Sequence, residues 1–235
     1  MMELQTSHKD AKVLAAAAVG GACAFAATAA LVMAGNAPLP DLWVLEHLRT
    51  AKTPGLAVGP AAITVIASAA SAAASPALAG SATAIVALAL IVRRRWRDAV
   101  LLAATGAGGV VLGLFLKTMF ERERPDEAWR LAEANGPGFP STQTLFATAL
   151  ALSLALVVRR STARQSARAL ALGAAVISAG LVGLSRIYLG VHWTSDVVAA
   201  WSAGAAWFGL CGLATQETKS SHDRLMWRRQ SCRLQ

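Results

Sequence analysis

The sequence predicts an all-α fold, a polytopic membrane helical bundle with six transmembrane helices. Composition, the length of the uncharged runs and the placement of the basic residues carry that reading. Of 235 residues, 55% are hydrophobic and 15% charged, and the mean hydropathy is +0.49, a balance unlike that of a soluble domain. Uncharged runs at 13–35, 56–92, 99–116, 142–158, 169–185 and 197–216 each approach or exceed the roughly 20 residues that cross a hydrocarbon core. Fifteen of the 22 basic residues fall in four clusters at the ends of these runs: Lys9 and Lys12; Arg93, Arg94, Arg95 and Arg97; Arg159, Arg160, Arg164 and Arg168; Lys219, Arg224, Arg228, Arg229 and Arg233. The net charge of +9 is therefore the mark of the positive-inside rule and of contacts with anionic lipids at the cytoplasmic face, and it argues against nucleic acid as a partner.

Taken in order, 13–35 is longer than the apolar core of a cleaved signal peptide, about 7 to 15 residues, and is expected to stay as the first crossing. Residues 36–55, with Trp43, Leu45 and Leu48 beside Glu46, His47 and Arg49, read as an outer loop with a short surface helix. The 37 uncharged residues of 56–92 are interrupted by Gly59, Pro60, Pro76 and Gly80. If all four basic clusters share one side, an even number of crossings separates neighbours. Residues 77–92 then form the second crossing and 56–75 an interfacial or re-entrant segment. The same parity puts the connections 117–141 and 186–196 on the outer face. The expected organisation is an amino-terminal tail, first helix and outer segment over 1–76, a five-helix core over 77–216, and a basic cytoplasmic tail over 217–235. Cys23, Cys211 and Cys232 sit in apolar runs or the basic tail and read as packing residues.

Three features carry chemistry. Lys117, Arg124 and Arg186 lie on the outer side, against the charge bias, and three separate segments bring them to one interface. Such a group suits a phosphate, since Lys supplies a point charge and Arg a planar fork for two oxygens. His192 precedes Asp196 by four residues, a spacing that stacks two side chains on one helix face. The carboxylate can orient one ring nitrogen while the other attacks phosphorus. Phe139-Pro140-Ser141-Thr142 opens the fourth crossing, where free N–H groups and the helix dipole favour an anion.

Together these residues resemble the type 2 phosphatidic acid phosphatase superfamily, which includes the vanadium haloperoxidases. Lys117 through Arg124-Pro125 matches its first motif, and Ser185-Arg186 through His192 to Asp196 matches its third. The resemblance covers about residues 77–215. It implies that His192 attacks phosphorus, that Asp196 orients it, and that Lys117, Arg124, Arg186, Ser141 and the backbone of Thr142 and Gln143 hold the phosphate. It implies no metal or other cofactor; with the outward placement of 117–141 and 186–196, the expected substrate is a membrane lipid phosphate met on the outer face of the cytoplasmic membrane. The second motif departs from Pro-Ser-Gly-His, since Thr142 replaces the Gly and Gln143 the His. In the family that His protonates the leaving oxygen, which an amide cannot do near neutral pH. The expectation is a phosphatase or phosphotransferase that favours lipid diphosphates such as a polyprenyl diphosphate, or else a relative that binds lipid phosphates without turnover. His47 is the remaining outward histidine that could serve as a surrogate acid.

Overall fold

The structure is a computed structural model that describes the backbone of residues 2–35, 38–50 and 53–231 and the side chains of 10–35, 40–50 and 53–216. Lys9 and the cluster from Lys219 onward fall outside the described side chains, and Cys232 and Arg233 outside the described residues. The elements are α1 (Met2–Met33), α2 (Pro38–His47), α3 (Ala61–Ala73), α4 (Pro76–Val92), α5 (Trp96–Phe120), α6 (Thr142–Ser161), α7 (Gln165–Tyr188) and α8 (Thr194–Ser231). The predicted all-α membrane bundle is what is found. Parts of α1, α5, α6, α7 and α8 make five helices long and apolar enough to cross a membrane, and six when α3 and α4 count as one span bent by 52°.

Each long helix overruns its uncharged run, because backbone hydrogen bonding continues past the apolar stretch until a breaker or cap ends it. Charged residues 217–231 thus prolong α8, and the expected tail is helical to Ser231. Pro76 at the first turn and Ser75 as cap, accepting from the Leu78 N–H, start α4 anew. Pro60 lies before the start of α3, whose own cap makes no side-chain hydrogen bond, and the 56–75 segment becomes a separate half-length helix.

The most buried span is α6, with α5, α7 and α8 around it, and Phe146, Leu101 and Leu102 fill the centre. Outward-facing Leu31, Ile85, Leu170, Val176 and Ile177 make an apolar exterior suited to lipid. Against α8 packs α1, through small residues: a Cβ at Gly209 would lie 2.5 Å from the Leu14 carbonyl oxygen and from the Ala18 nitrogen, so the two backbones touch. At the end of the bundle away from the 117–141 and 186–196 connections, Asp98 in the first turn of α5 accepts from Arg95 Nε (2.8 Å) and Arg160 Nη1 (3.0 Å), and Arg159 pairs with Asp10. Three of the four basic clusters therefore meet at that end. Part of their charge is spent on tying helices together, while Arg93, Arg94, Arg97 and Arg164 stay exposed.

Candidate active site

The site is assembled at helix ends: the last turns of α5 and α7, the first turns of α6 and α8, and the connections between them. Backbone bonds knit the two connections, with the Leu131 N–H on the Leu189 oxygen (2.8 Å) and the Ser141 N–H on the Asp196 oxygen (3.2 Å). The turn after α7 uses Gly190 at φ +68°, where a Cβ would lie 2.4 Å from the Trp129 oxygen. Both the conformation and the space call for glycine.

His192 is 3% exposed. Its Nδ1 faces Asp196 Oδ2 at 3.3 Å and its Nε2 lies 3.0 Å from Arg124 Nη1. A guanidinium only donates, so Nε2 accepts and Nδ1 carries the proton towards the carboxylate. Burial, with the charges of Arg124 and Arg186 adding to it and Asp196 opposing, pushes the imidazole pKa down to about 3, so the ring is neutral near pH 7.

The contact with Asp196 does not come from a shared helix face, as the spacing predicts. His192 lies in the turn before α8, and Asp196 lies in the first turn, where its Oδ2 also accepts from the Trp193 N–H at 3.0 Å. This is the back-reaching half of a capping box, and it aims the carboxylate at the ring. Asp196 is wholly buried. Its other oxygen takes Arg122 Nη1 at 2.7 Å, and Arg122 Nη2 continues to Asp41 Oδ2 on α2 at 2.8 Å. Asp41 in turn accepts from the Ser195 N–H at 2.8 Å, which completes a chain from α2 to the histidine.

The three sequence-predicted cations surround this centre. Arg124 spans the Gly136 oxygen (2.9 Å), the Val191 oxygen (2.7 Å) and His192. Lys117 Nζ donates to the carbonyls of Pro137 and Gly138. Arg186 Nη1 donates to Ser71 Oγ at 2.5 Å, and its Nε is buried without a partner among the described residues. Among those residues none of the three forms an ion pair with Glu121, Glu123, Asp126 or Glu127; Glu127 meets Arg130 at 3.6 Å.

The second-motif residues differ in detail from the expectation. Ser141 occupies the cap position of α6 but makes no cap bond; its hydroxyl pairs with that of Thr144 at 2.9 Å. Thr142 turns its side chain to Gly113 on α5, and its hydroxyl is buried without a partner among the described residues. The Gln143 amide donates to the Ser71 carbonyl oxygen. His47 is exposed, stacked on Trp43 with its Nδ1 2.7 Å from the Trp43 oxygen, and makes no hydrogen bond to a site residue among the described residues.

Four residues here went unread in the sequence. Arg122 carries the signal applied to its neighbours, a cation in an outward connection, and was masked by alternating with Glu121 and Glu123. Ser71 and Asp41 reach the site only through tertiary packing. Arg49, also buried, just past the end of α2, clamps the Trp129 and Tyr188 oxygens, the latter at 3.1 Å, and so holds the two connections together.

Known proteins resemble the chain in sequence and in fold. Phosphatidylglycerophosphatase B of Bacillus subtilis (strain 168) is 32% identical over 119 residues, 50% of this chain, and the chain spans 58% of that relative's length. The crystal structure of the first transmembrane PAP2 type phosphatidylglycerolphosphate phosphatase, from Bacillus subtilis, superposes with a TM-score of 0.73 at 22% identity, covering 83% of this chain and 94% of that one. LpxE of Aquifex aeolicus superposes at 0.52, also with 22% identity, over 68% of this chain and 88% of that one. The sequence profile of the PAP2 superfamily matches residues 98–219, which hold every residue of the three motifs, and on that match the chain belongs to the PAP2 superfamily.

Proposed function

We propose that the chain is an integral membrane lipid phosphatase or phosphotransferase, working on the outer face of the cytoplasmic membrane through a phosphohistidine at His192. The observation that carries this is the setting of the ring: its Nδ1 faces Asp196 at 3.3 Å and its Nε2 faces Arg124 of the cation cluster at 3.0 Å. When a phosphate takes over the Arg124 donors, Nε2 attacks phosphorus. The N–P bond forms as the P–O bond to the leaving group breaks, and the electron pair leaves on that oxygen. Lys117, Arg124, Arg186 and the first-turn backbone N–H groups of Thr142 and Gln143 neutralise the equatorial oxygens, and Asp196 balances the charge arising on the ring. Water, or an acceptor phosphate, then takes the phosphoryl group from nitrogen.

Substrate class follows from Gln143. An amide cannot protonate the leaving oxygen, and loss of such proton transfer typically costs about 10²- to 10⁴-fold in rate. A lipid alkoxide needs that proton, whereas a lipid monophosphate leaving from a diphosphate is already a weak base. A lipid diphosphate is therefore the preferred substrate. The Bacillus subtilis relative is named for phosphatidylglycerophosphate, a monoester, and this is the competing substrate. The core 77–216 carries the chemistry, and the 1–76 segment contributes Asp41, Arg49 and Ser71.

The test is phosphate release from polyprenyl diphosphate, phosphatidylglycerophosphate and phosphatidate by the native chain, His192→Ala and Gln143→His. The native chain is expected to favour the diphosphate, the first variant to be inactive, and the second to gain on the monoesters. Faster release from phosphatidate than from the diphosphate overturns the substrate reading. Absence of turnover with retained phosphate binding turns the assignment to a lipid phosphate-binding relative, the reading that Gln143 alone favours.

A further inference from the structure

Ser71 differs from the buried hydroxyls inside the long helices. Thr105, Thr148, Ser153 and Ser185 each donate to a carbonyl three or four residues back in their own helix. Ser71 makes no such bond among the described residues. Its Oγ accepts from Arg186 Nη1 at 2.5 Å, its proton has no acceptor among them, and the residue is 8% exposed. A buried hydroxyl that leaves its proton unspent beside a guanidinium with a partnerless Nε is a donor pair awaiting an anion.

The break between α3 and α4 holds it there. At the end of α3 the Ala74 N–H returns to the Ala70 oxygen and the Ser75 N–H to the Ala72 oxygen, which leaves the Ser71 carbonyl oxygen among the orphans of a helix terminus. The Gln143 amide caps it. Gln143 thus acts on α3, and through α3 fixes the Ser71 hydroxyl at Arg186. Farther out, the Thr64 hydroxyl meets the Tyr188 hydroxyl at 3.2 Å and pins the same face of α3 to α7. Between α2, α3 and α7 lies an apolar cavity of about 420 Å³, lined by Leu48, Ile63, Ile66, Ala67, Leu184 and Ser185 among others. Ala67 on α3 and Ser185 on α7 place its wall directly beside Ser71 and Arg186.

We propose that Ser71 is a specificity-determining residue, whose hydroxyl together with Arg186 binds the leaving phosphate of a lipid diphosphate. The proposal rests on the reading of His192 as nucleophile. With the terminal phosphorus at Nε2 and the chain in the apolar cavity, the second phosphate falls between them, at Ser71. As the Nε2–P bond forms, the bridging P–O bond breaks and its electron pair stays on the departing lipid monophosphate. No proton is transferred. The Ser71 O–H and the Arg186 guanidinium hold the growing negative charge, which answers on this chain for the acid that Gln143 cannot supply.

Binding of two probes to the full chain in detergent, inorganic pyrophosphate and inorganic orthophosphate, separates this subsite from the cradle. Hydrolysis of polyprenyl diphosphate is followed in parallel. A hydrogen bond to a charged group changes an equilibrium by about tenfold or more, so Ser71→Ala is expected to weaken pyrophosphate by about tenfold and orthophosphate by less than twofold. Ser71→Cys, of similar size and a weak donor, is expected to fall on the Ala side, which guards against a packing artefact. Equal loss for both probes, or none for either, overturns the proposal. If His192→Ala retains turnover while Ser71→Ala still discriminates the probes, the nucleophile is wrong and the subsite stands. If the native chain hydrolyses lipid diphosphates but binds pyrophosphate no better than orthophosphate, the subsite falls alone.

Discussion

Arg122→Gln is expected to damage both stability and turnover, although Arg122 is not one of the residues that the first family motif specifies. The native side chain is 16% exposed and bridges two carboxylates, at 2.7 Å to Asp196 and 2.8 Å to Asp41. Removing one partner of a buried ion pair costs about 3 to 5 kcal/mol, because the remaining charge is left uncompensated. Asp196 keeps the Trp193 N–H and the His192 ring, and Asp41 keeps Ser195, so the lower figure, about 3 kcal/mol, applies. In turnover the carboxylate that aims the imidazole loses its strongest tether, and misplacement of about 1 Å costs on the order of 10²-fold. We expect kcat on the preferred lipid to fall by about 10- to 100-fold with KM changed little, since Arg122 does not face the substrate. Equilibrium unfolding in mixed detergent gives the stability, and a double-mutant cycle with Asp41→Asn gives the coupling. A loss under about 1 kcal/mol together with unchanged kcat refutes the idea that the Asp41–Arg122–Asp196 chain orients His192.

Three further outcomes follow from the geometry. The His192 pKa of about 3 in the folded chain, against about 6.5 unfolded, means that below about pH 6.5 the unfolded state binds a proton that the folded state does not. The stability held by the neutral ring is therefore complete above pH 6.5 and falls as pH drops towards 3. Nitrogen NMR of the ring should show the Nδ1–H tautomer unchanged from pH 8 to 5, and a titration midpoint near 6.5 contradicts it. Gly209→Val inserts carbon where α1 and α8 backbones touch and should destabilise by about 1 to 3 kcal/mol as overpacking does; an unfolding midpoint equal to that of the native chain counts against the contact. Arg49→Ala leaves the Trp129 and Tyr188 carbonyls without their donor and should cost about 1 to 3 kcal/mol, with slower turnover from a loosened pair of connections. Native values of both in that variant contradict the clamp.

The bundle was legible in the sequence because membrane helices announce themselves locally, by run length and flanking charge. The break at Pro76 was legible for the same reason. What α3 does was not, since a stretch of Ala and Ser gives no hint which hydroxyl reaches a distant helix end. Lys117, Arg124, Arg186, His192 and Asp196 could be chosen because each is a charged or titratable residue where the membrane disfavours it. The capping box that places Asp196 was readable in principle, as an acid three residues into the helix, yet the i, i+4 reading obscured it. Asp41 falls in the outer loop with its short surface helix, and nothing nearby marks it. Its partner lies 81 positions away, and no local pattern encodes that distance.

The charges of the site explain why these distant residues belong to one account. Arg49, Lys117, Arg122, Arg124 and Arg186 bring five positive charges to the site, and Asp41 and Asp196 bring two negative ones, while His192 is neutral and Arg130 is matched by Glu127. Three positive charges remain in excess in a buried setting, where uncompensated charge is expensive. Backbone carbonyls at 135–138 and at Val191 meet part of that demand by hydrogen bonding. They carry no net charge, so they cannot cancel it. A phosphoryl group with two negative charges cancels most of it, and a second phosphate beside Arg186 and Ser71 adds charge at the edge nearest the apolar cavity. An isosteric neutral lipid alcohol relieves none of this excess, and it should compete with the substrate only as weakly as its chain alone would.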